Sequence, residues 1–120
     1  MRLSIPTRSP TAFEQRVYAA LRTVPSGRVT TYAALARALG IRSPRAVGGA
    51  LRRNPFAPEV PCHRVIRSDG AIGGFRGRTG GAAVREKRAR LAAEGVCFRR
   101  GLLVERWRMI APDPPPRRGI

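Results

Sequence analysis

Lysine is almost missing from this 120-residue chain, acids are few and histidine occurs once. Lys87 is the one lysine, so 23 of the 24 basic residues are arginine; seven acids leave a formal charge of +17 and a pI near 12. A field of that sign favours polyanions, through phosphate contacts and counterion release. A GC-rich coding preference accounts equally well for arginine over lysine, but not for the shortage of acids. Two cysteines, Cys62 and Cys97, make no disulfide framework, and with His63 alone they fall short of a structural zinc site. No apolar run approaches the roughly 20 residues of a membrane span, and MRLSIPTRSP lacks the apolar core of a secretory signal. These shortages point to a soluble cytoplasmic protein, in a reducing compartment where a free thiol persists, with no metal and no membrane partner.

What is present is enough for one folded domain: 42% of residues are hydrophobic. Residues 1–10 read as a flexible arm and 111–120, with four prolines, as a disordered tail. Between them, Thr11 and Glu14 form a capping box ahead of Phe13, Val17, Ala20, Leu21 and Val24 at helical spacing. Pro25-Ser26-Gly27 ends that helix. Thr30 or Thr31 caps a second helix running through Leu39, with Gly40 just past its end. Ser43-Pro44 starts a third, about Pro44 to Arg53. Helix, short glycine-containing turn, helix is the helix-turn-helix pattern, here at about 32–53. Asn54 to Pro61 holds three prolines and cannot be helix. Arg64 to Arg67 reads as a strand, Asp69-Gly70 as a hairpin turn and Gly73 to Gly81 as a mobile glycine-rich loop. A last helix runs about Ala82 to Glu94, closed by Gly95. A terminal hairpin follows, with Cys97 in its core and Trp107 packing the end segment.

Two features carry chemistry. The third helix, PRAVGGALRR, puts adjacent glycines between arginines. Each glycine costs a helix about 1 kcal/mol relative to alanine, which asks for close approach of another surface: a nucleic-acid groove or a neighbouring helix. The other is Pro61-Cys62-His63-Arg64-Val65, a thiol beside the chain's single imidazole. Alone, that pair is a weak signal, since a lone histidine is often structural.

Together, and in order, the motifs Val17-Tyr18, Pro25-Ser26-Gly27-Arg28-Val29-Thr30-Thr31-Tyr32, Arg45-Ala46-Val47-Gly48, Asn54-Pro55, Pro61 to Val65, Gly73-Gly74-Phe75 and Glu94-Gly95 resemble the catalytic C-terminal domain of the O6-alkylguanine-DNA alkyltransferases, from about Phe13 to Gly95. The resemblance implies a mostly α, winged helix-turn-helix-like domain with short β-hairpins around the active-site loop, acting as a monomer near the nucleoid. Cys62 would accept the alkyl group irreversibly, one protein per lesion, without a cofactor. The thiolate is the nucleophile, and an ordinary cysteine is only a few per cent thiolate at neutral pH. His63 would take the proton through a water, with Glu94 holding the imidazole as in a triad. Asn54 would brace the Cys-His turn. The partner would be double-stranded DNA containing O6-alkylguanine, with O4-alkylthymine a second candidate. The reacting atom is inaccessible in the duplex, so the nucleotide must flip out. Arg45 would fill the gap in the stack, while Ala46, Gly48, Gly49 and Arg52 meet the DNA. Tyr32, the backbone around Val65, Phe75 and Arg76 would line the base pocket; Phe75 stands where the family usually has tyrosine. The segment after Gly95 resembles instead that of alkyltransferase-like proteins, which bind alkylated DNA without repairing it. A lesion-binding protein that recruits excision repair is therefore the second reading.

Overall fold

A computed structural model describes residues 9–115 of the chain. Most of the expected arm and the end of the expected tail, including Arg117 and Arg118, lie outside the described residues. Helix α1 (Ala12–Leu21) starts where the capping box places it: Glu14 N–H donates to Thr11 Oγ1, and Thr11 N–H to Glu14 Oε1, both at 3.1 Å. Helix α2 (Tyr32–Ala38) is capped by Thr31, whose hydroxyl accepts from Ala34 N–H. Helix α3 (Pro44–Arg52) is capped by Ser43, with proline in its first turn. Val17, Tyr18, Leu21, Leu35, Leu39, Val47 and Leu51 from these helices form the first core cluster. Burying each such side chain stabilises by about 1.5–3 kcal/mol. The Tyr18 hydroxyl, buried among them, donates to Ala50 O at 2.7 Å and ties α1 to α3.

A second cluster, with Val29, Ile66, Ile72, Leu91, Val96 and Leu103, joins helix α4 (Gly81–Ala93) to the strands. Strands β1 (Thr30–Thr31) and β2 (Val65–Ile66) pair in parallel, Thr30 with Val65 and Thr31 with Ile66. This pairing positions the site: it sets Tyr32, the first residue of α2, beside the turn that precedes β2. Strands β3 (Phe98–Arg99) and β4 (Leu102–Leu103) form the terminal hairpin. Its turn carries Arg100 and Gly101 at φ 52° and 77°, the pair of positive values that a type I′ turn needs.

Several expectations are corrected. Arg64 belongs to a 3₁₀ turn, Cys62–Arg64, rather than to a strand; its N–H bonds back to Pro61 O. The strand that follows pairs with distant β1 rather than across Asp69-Gly70. That turn does close, with Arg67 N–H on Ala71 O, but Ala71 bridges to Leu102. The loop of 73–81 is pinned, not loose: Phe75 and Arg78 exchange backbone hydrogen bonds of 2.8 and 2.9 Å. Cys97 is exposed because hairpin alternation gives the core position to Val96. Trp107 is 57% exposed, with the Arg28 and Arg108 guanidiniums 5.0 and 4.4 Å from its ring centre. Residues 111–115 are docked: Pro112 and Pro115 are buried, and Asp113 N–H donates to Thr23 Oγ1.

Candidate functional site

Asn54 follows the end of α3 and uses both ends of its amide. Nδ2 donates to Val60 O at 3.0 Å, and Oδ1 accepts from Phe56 N–H at 2.8 Å. Val60 O also accepts from Cys62 N–H at 2.8 Å. One side chain thus folds the proline-rich segment back and ties the Cys62 turn to the helix-turn-helix.

Cys62 is half-buried and lines a cleft of about 480 Å³. Tyr32, Arg45, Gly48, Gly49, Arg52, Phe75 and Arg76 share its wall, with Gly77, Arg78 and Thr79 beside them. The structure therefore gathers Cys62 with most of the residues expected at the pocket and the DNA face. Four arginines and no acid line it. Arg76 is partly committed elsewhere: its guanidinium forms two bonds to Glu86 and lies 4.8 Å from the centre of the Phe75 ring. Ala46 and Val65 do not line the cleft. Val65 is fully buried in the first core cluster, so its side chain cannot form part of the wall.

Behind Cys62, His63 is 4% exposed, and its Nε2 lies 2.8 Å from Glu94 Oε2. Glu94 caps the end of α4. Arg64 grips the same carboxylate through Nε and an NH group, and Gly27 N–H reaches Oε1 at 3.3 Å. Burial would push the Glu94 pKa up, but the hydrogen bonds from Arg64, His63 and Gly27 outweigh it and bring it down to about 2. Glu94 is thus a carboxylate at neutral pH, which makes Nε2–H the donor and leaves Nδ1 the basic nitrogen. Burial lowers the His63 pKa; the Glu94 bond and charge oppose this, while Arg64 and Arg90 add to it. The imidazole is neutral at pH 7 and able to take a proton.

Lys87 is a residue that sequence reasoning did not single out. It is fully buried, and its ammonium donates to Val65 O at 2.7 Å, Ile72 O at 2.5 Å and Gly74 O at 2.9 Å. Three donors meet three carbonyls, and these bonds fasten the pocket loop to β2 and α4. Burial pulls the Lys87 pKa down to about 7, opposed by Cys62. Its solitary status was the one available signal. Burial also raises the Tyr32 pKa, as does Cys62, while Arg67 lowers it. Cys62 therefore sits within electrostatic reach of both groups.

The two α3 glycines are not packing residues. A Cβ on Gly48 would meet nothing nearer than Tyr32 at 4.0 Å, and one on Gly49 only the flexible Arg53 end at 3.6 Å. Among the described residues no other element packs closely against them; they open onto the cleft. Gly74 differs: a Cβ there would fall 2.6 Å from Arg78 O, so the loop closes only without one.

A helix-turn-helix whose arginine-lined cleft contains a cysteine backed by imidazole and carboxylate defines the class. The chain belongs to the family described as 6-O-methylguanine DNA methyltransferase, DNA binding domain, which matches residues 12–96. The methylated-DNA–protein-cysteine methyltransferase of Thermococcus kodakarensis is 48% identical over 87 residues, covering 72% of this chain and 46% of that protein. The DNA base-flipping protein of Thermus thermophilus is 57% identical over 65 residues, covering 54% and 44%. Among solved structures, S. pombe ATL in complex with DNA superposes with a TM-score of 0.66 at 32% identity, covering 93% of this chain and all of that one. The chain spans about half the length of the curated relatives it matches. Among the described residues no helix is long and apolar enough to cross a membrane.

Proposed function

We propose that this protein repairs O6-alkylguanine in double-stranded DNA by transferring the alkyl group to Cys62. The observation that carries this reading is the placement of Cys62 in the cleft wall, with neutral His63 oriented by ionised Glu94 directly behind it. His63 Nδ1 accepts the thiol proton, through water. The thiolate sulfur attacks the alkyl carbon, an S–C bond forms as the C–O6 bond breaks, and the electron pair leaves on the base. The guanine takes up a proton, and the thioether stays on the protein. O4-alkylthymine presents the same alkyl–oxygen bond and is the second candidate substrate.

The target base reaches Cys62 by flipping. Arg45, at the start of α3 on the cleft rim, enters the stack in its place, and its planar fork suits the orphaned base. Gly48 and Gly49, with no Cβ and no protein packed on them, let α3 approach the duplex. Tyr32, Phe75 and the Arg76 backbone hold the extruded base, and Arg52 and Arg78 meet phosphates.

The second reading, a lesion-binding protein that does not transfer, is favoured by the similarity to ATL over nearly the whole chain. One measurement separates the two. On incubation with O6-methylguanine duplex, mass spectrometry should find one methyl group on the Cys62 peptide and none in Cys62→Ala, which still binds the duplex. Lesion-selective binding with unmodified Cys62 would overturn transfer in favour of the second reading.

A further inference from the structure

The segment after Val96 lies beyond the family match yet reaches the turn that contacts the acid–base pair. Met109 bridges to Val29. Val29 N–H donates to Arg108 O at 2.9 Å, and Ile110 N–H to Val29 O at 2.8 Å. The Arg108 side chain crosses to the preceding turn and donates to Gly27 O at 2.9 Å. That same Gly27 presents its N–H to Glu94 Oε1 at 3.3 Å, and Glu94 Oε2 meets His63 Nε2 at 2.8 Å. Arg108 is itself held in place: Glu105 accepts from its Nε at 2.7 Å, and its guanidinium lies 4.4 Å from the centre of the Trp107 ring, with Arg28 at 5.0 Å. A Cβ on Gly95, the residue after Glu94, would sit 3.5 Å from the same guanidinium. That is ordinary contact distance, so only the φ of 86° favours glycine at this position.

From this geometry we propose that residues 97–110 are a strap that positions the acid–base pair, with Arg108 as its positioning residue. The turn at Gly27, with φ 88°, is closed by Arg28 N–H on Pro25 O and reached from Arg64 at Val24 O. Clamped by Arg108 on its carbonyl side and paired along Val29, it offers Glu94 a fixed N–H. Arg64 holds the carboxylate from the other side. Of the two, only the Gly27 contact depends on a segment far along the chain. Release of the strap removes one of the two donors on Glu94 Oε1, leaving Arg64 Nε at 3.0 Å, lets water reach the pair and broadens the orientation of the imidazole. The inference deepens the transfer reading, on which its catalytic consequence rests.

His63 is the only histidine, so its ring N–H can be followed by NMR in the free protein without DNA. Expected for the full chain is a downfield, slowly exchanging Nε2–H signal. In Arg108→Ala that signal broadens into exchange with water, and single-turnover transfer falls by about 10- to 100-fold, the scale on which small misplacements cost rate. Duplex affinity stays within a small factor. Arg108→Lys, which can still donate to Gly27 O, restores both. If Arg108→Ala does not fold, Arg108→Met keeps the stem against Trp107 without the donor and reads the same two quantities. A His63 signal and transfer rate unchanged in the folded variant overturn the proposal, as does failure of Arg108→Lys to restore them. A wild-type protein that makes no Cys62 adduct overturns the transfer reading alone, because the His63 signal is read independently of it.

Discussion

Glu94 Oε2 lies 2.8 Å from His63 Nε2, across 31 residues of chain. The bond joins the residue that caps α4 to the turn that carries Cys62, and the Arg64 guanidinium closes the same carboxylate from the side. Because Glu94 is ionised, the imidazole donates to it from Nε2 and keeps Nδ1 basic. Glu94→Gln removes the charge that selects this tautomer. Single-turnover transfer should then fall by about a hundredfold or more, within the range seen when a triad carboxylate is replaced by its amide. Quench-flow on lesion duplex with mass detection reads it.

The same carboxylate ties stability to pH. Its folded pKa, about 2, is below its ordinary 4.5. Its stabilisation is therefore complete above pH 4.5 and is lost as pH falls through that window towards 2. Acid unfolding followed by circular dichroism should be less steep over that interval in Glu94→Gln than in the wild type.

The His63 pKa is lowered as well, which for a base favours the neutral form. Its folded pKa lies below 6.5, so the neutral form persists to lower pH than in a free imidazole. The rate of adduct formation should fall with a half-point below pH 6.5. A half-point above 6.5 would contradict the assignment of His63 as the proton acceptor.

Gly48 separates folding from binding. Its Cβ would meet nothing closer than 4.0 Å within the protein, and alanine is the better helix former by about 1 kcal/mol. Gly48→Ala should raise the melting temperature of the free protein yet weaken its binding to duplex DNA. Equal affinity in a fluorescence anisotropy titration would mean that α3 does not approach the duplex closely at this position.

Lys87 is a matter of the loop and not of the chemistry directly. Lys87→Met leaves the Val65, Ile72 and Gly74 carbonyls without their donor. Each unsatisfied buried group costs about 1–3 kcal/mol, so denaturant unfolding should register a loss of at least about 2 kcal/mol. Amide exchange at 74–79 should quicken well beyond that in α1.

Much of this was legible without coordinates. The capping box at Thr11 and Glu14, the Ser43-Pro44 start and the glycines at 40 and 95 are local signals: one residue's side chain or φ preference decides each. The resemblance carried by the motif order grouped Cys62, His63, Asn54 and Glu94; no local pattern does so. Hidden from the sequence were relationships set by distant chain. Nothing near Thr30 says that it pairs in parallel with Val65, since two-residue strands have no periodicity of their own. Five glycines at 73–81 looked mobile because composition counts freedom lost locally and is blind to a buried ammonium arriving from α4. The sequence by itself determined the helices, the arginine-rich field and the candidates for the reacting groups. Only the tertiary structure decided which carbonyls hold Lys87, how Gly27 and Arg108 back Glu94, and that the α3 glycines open onto the cleft. Those contacts join separate elements, and packing, not local propensity, selects them.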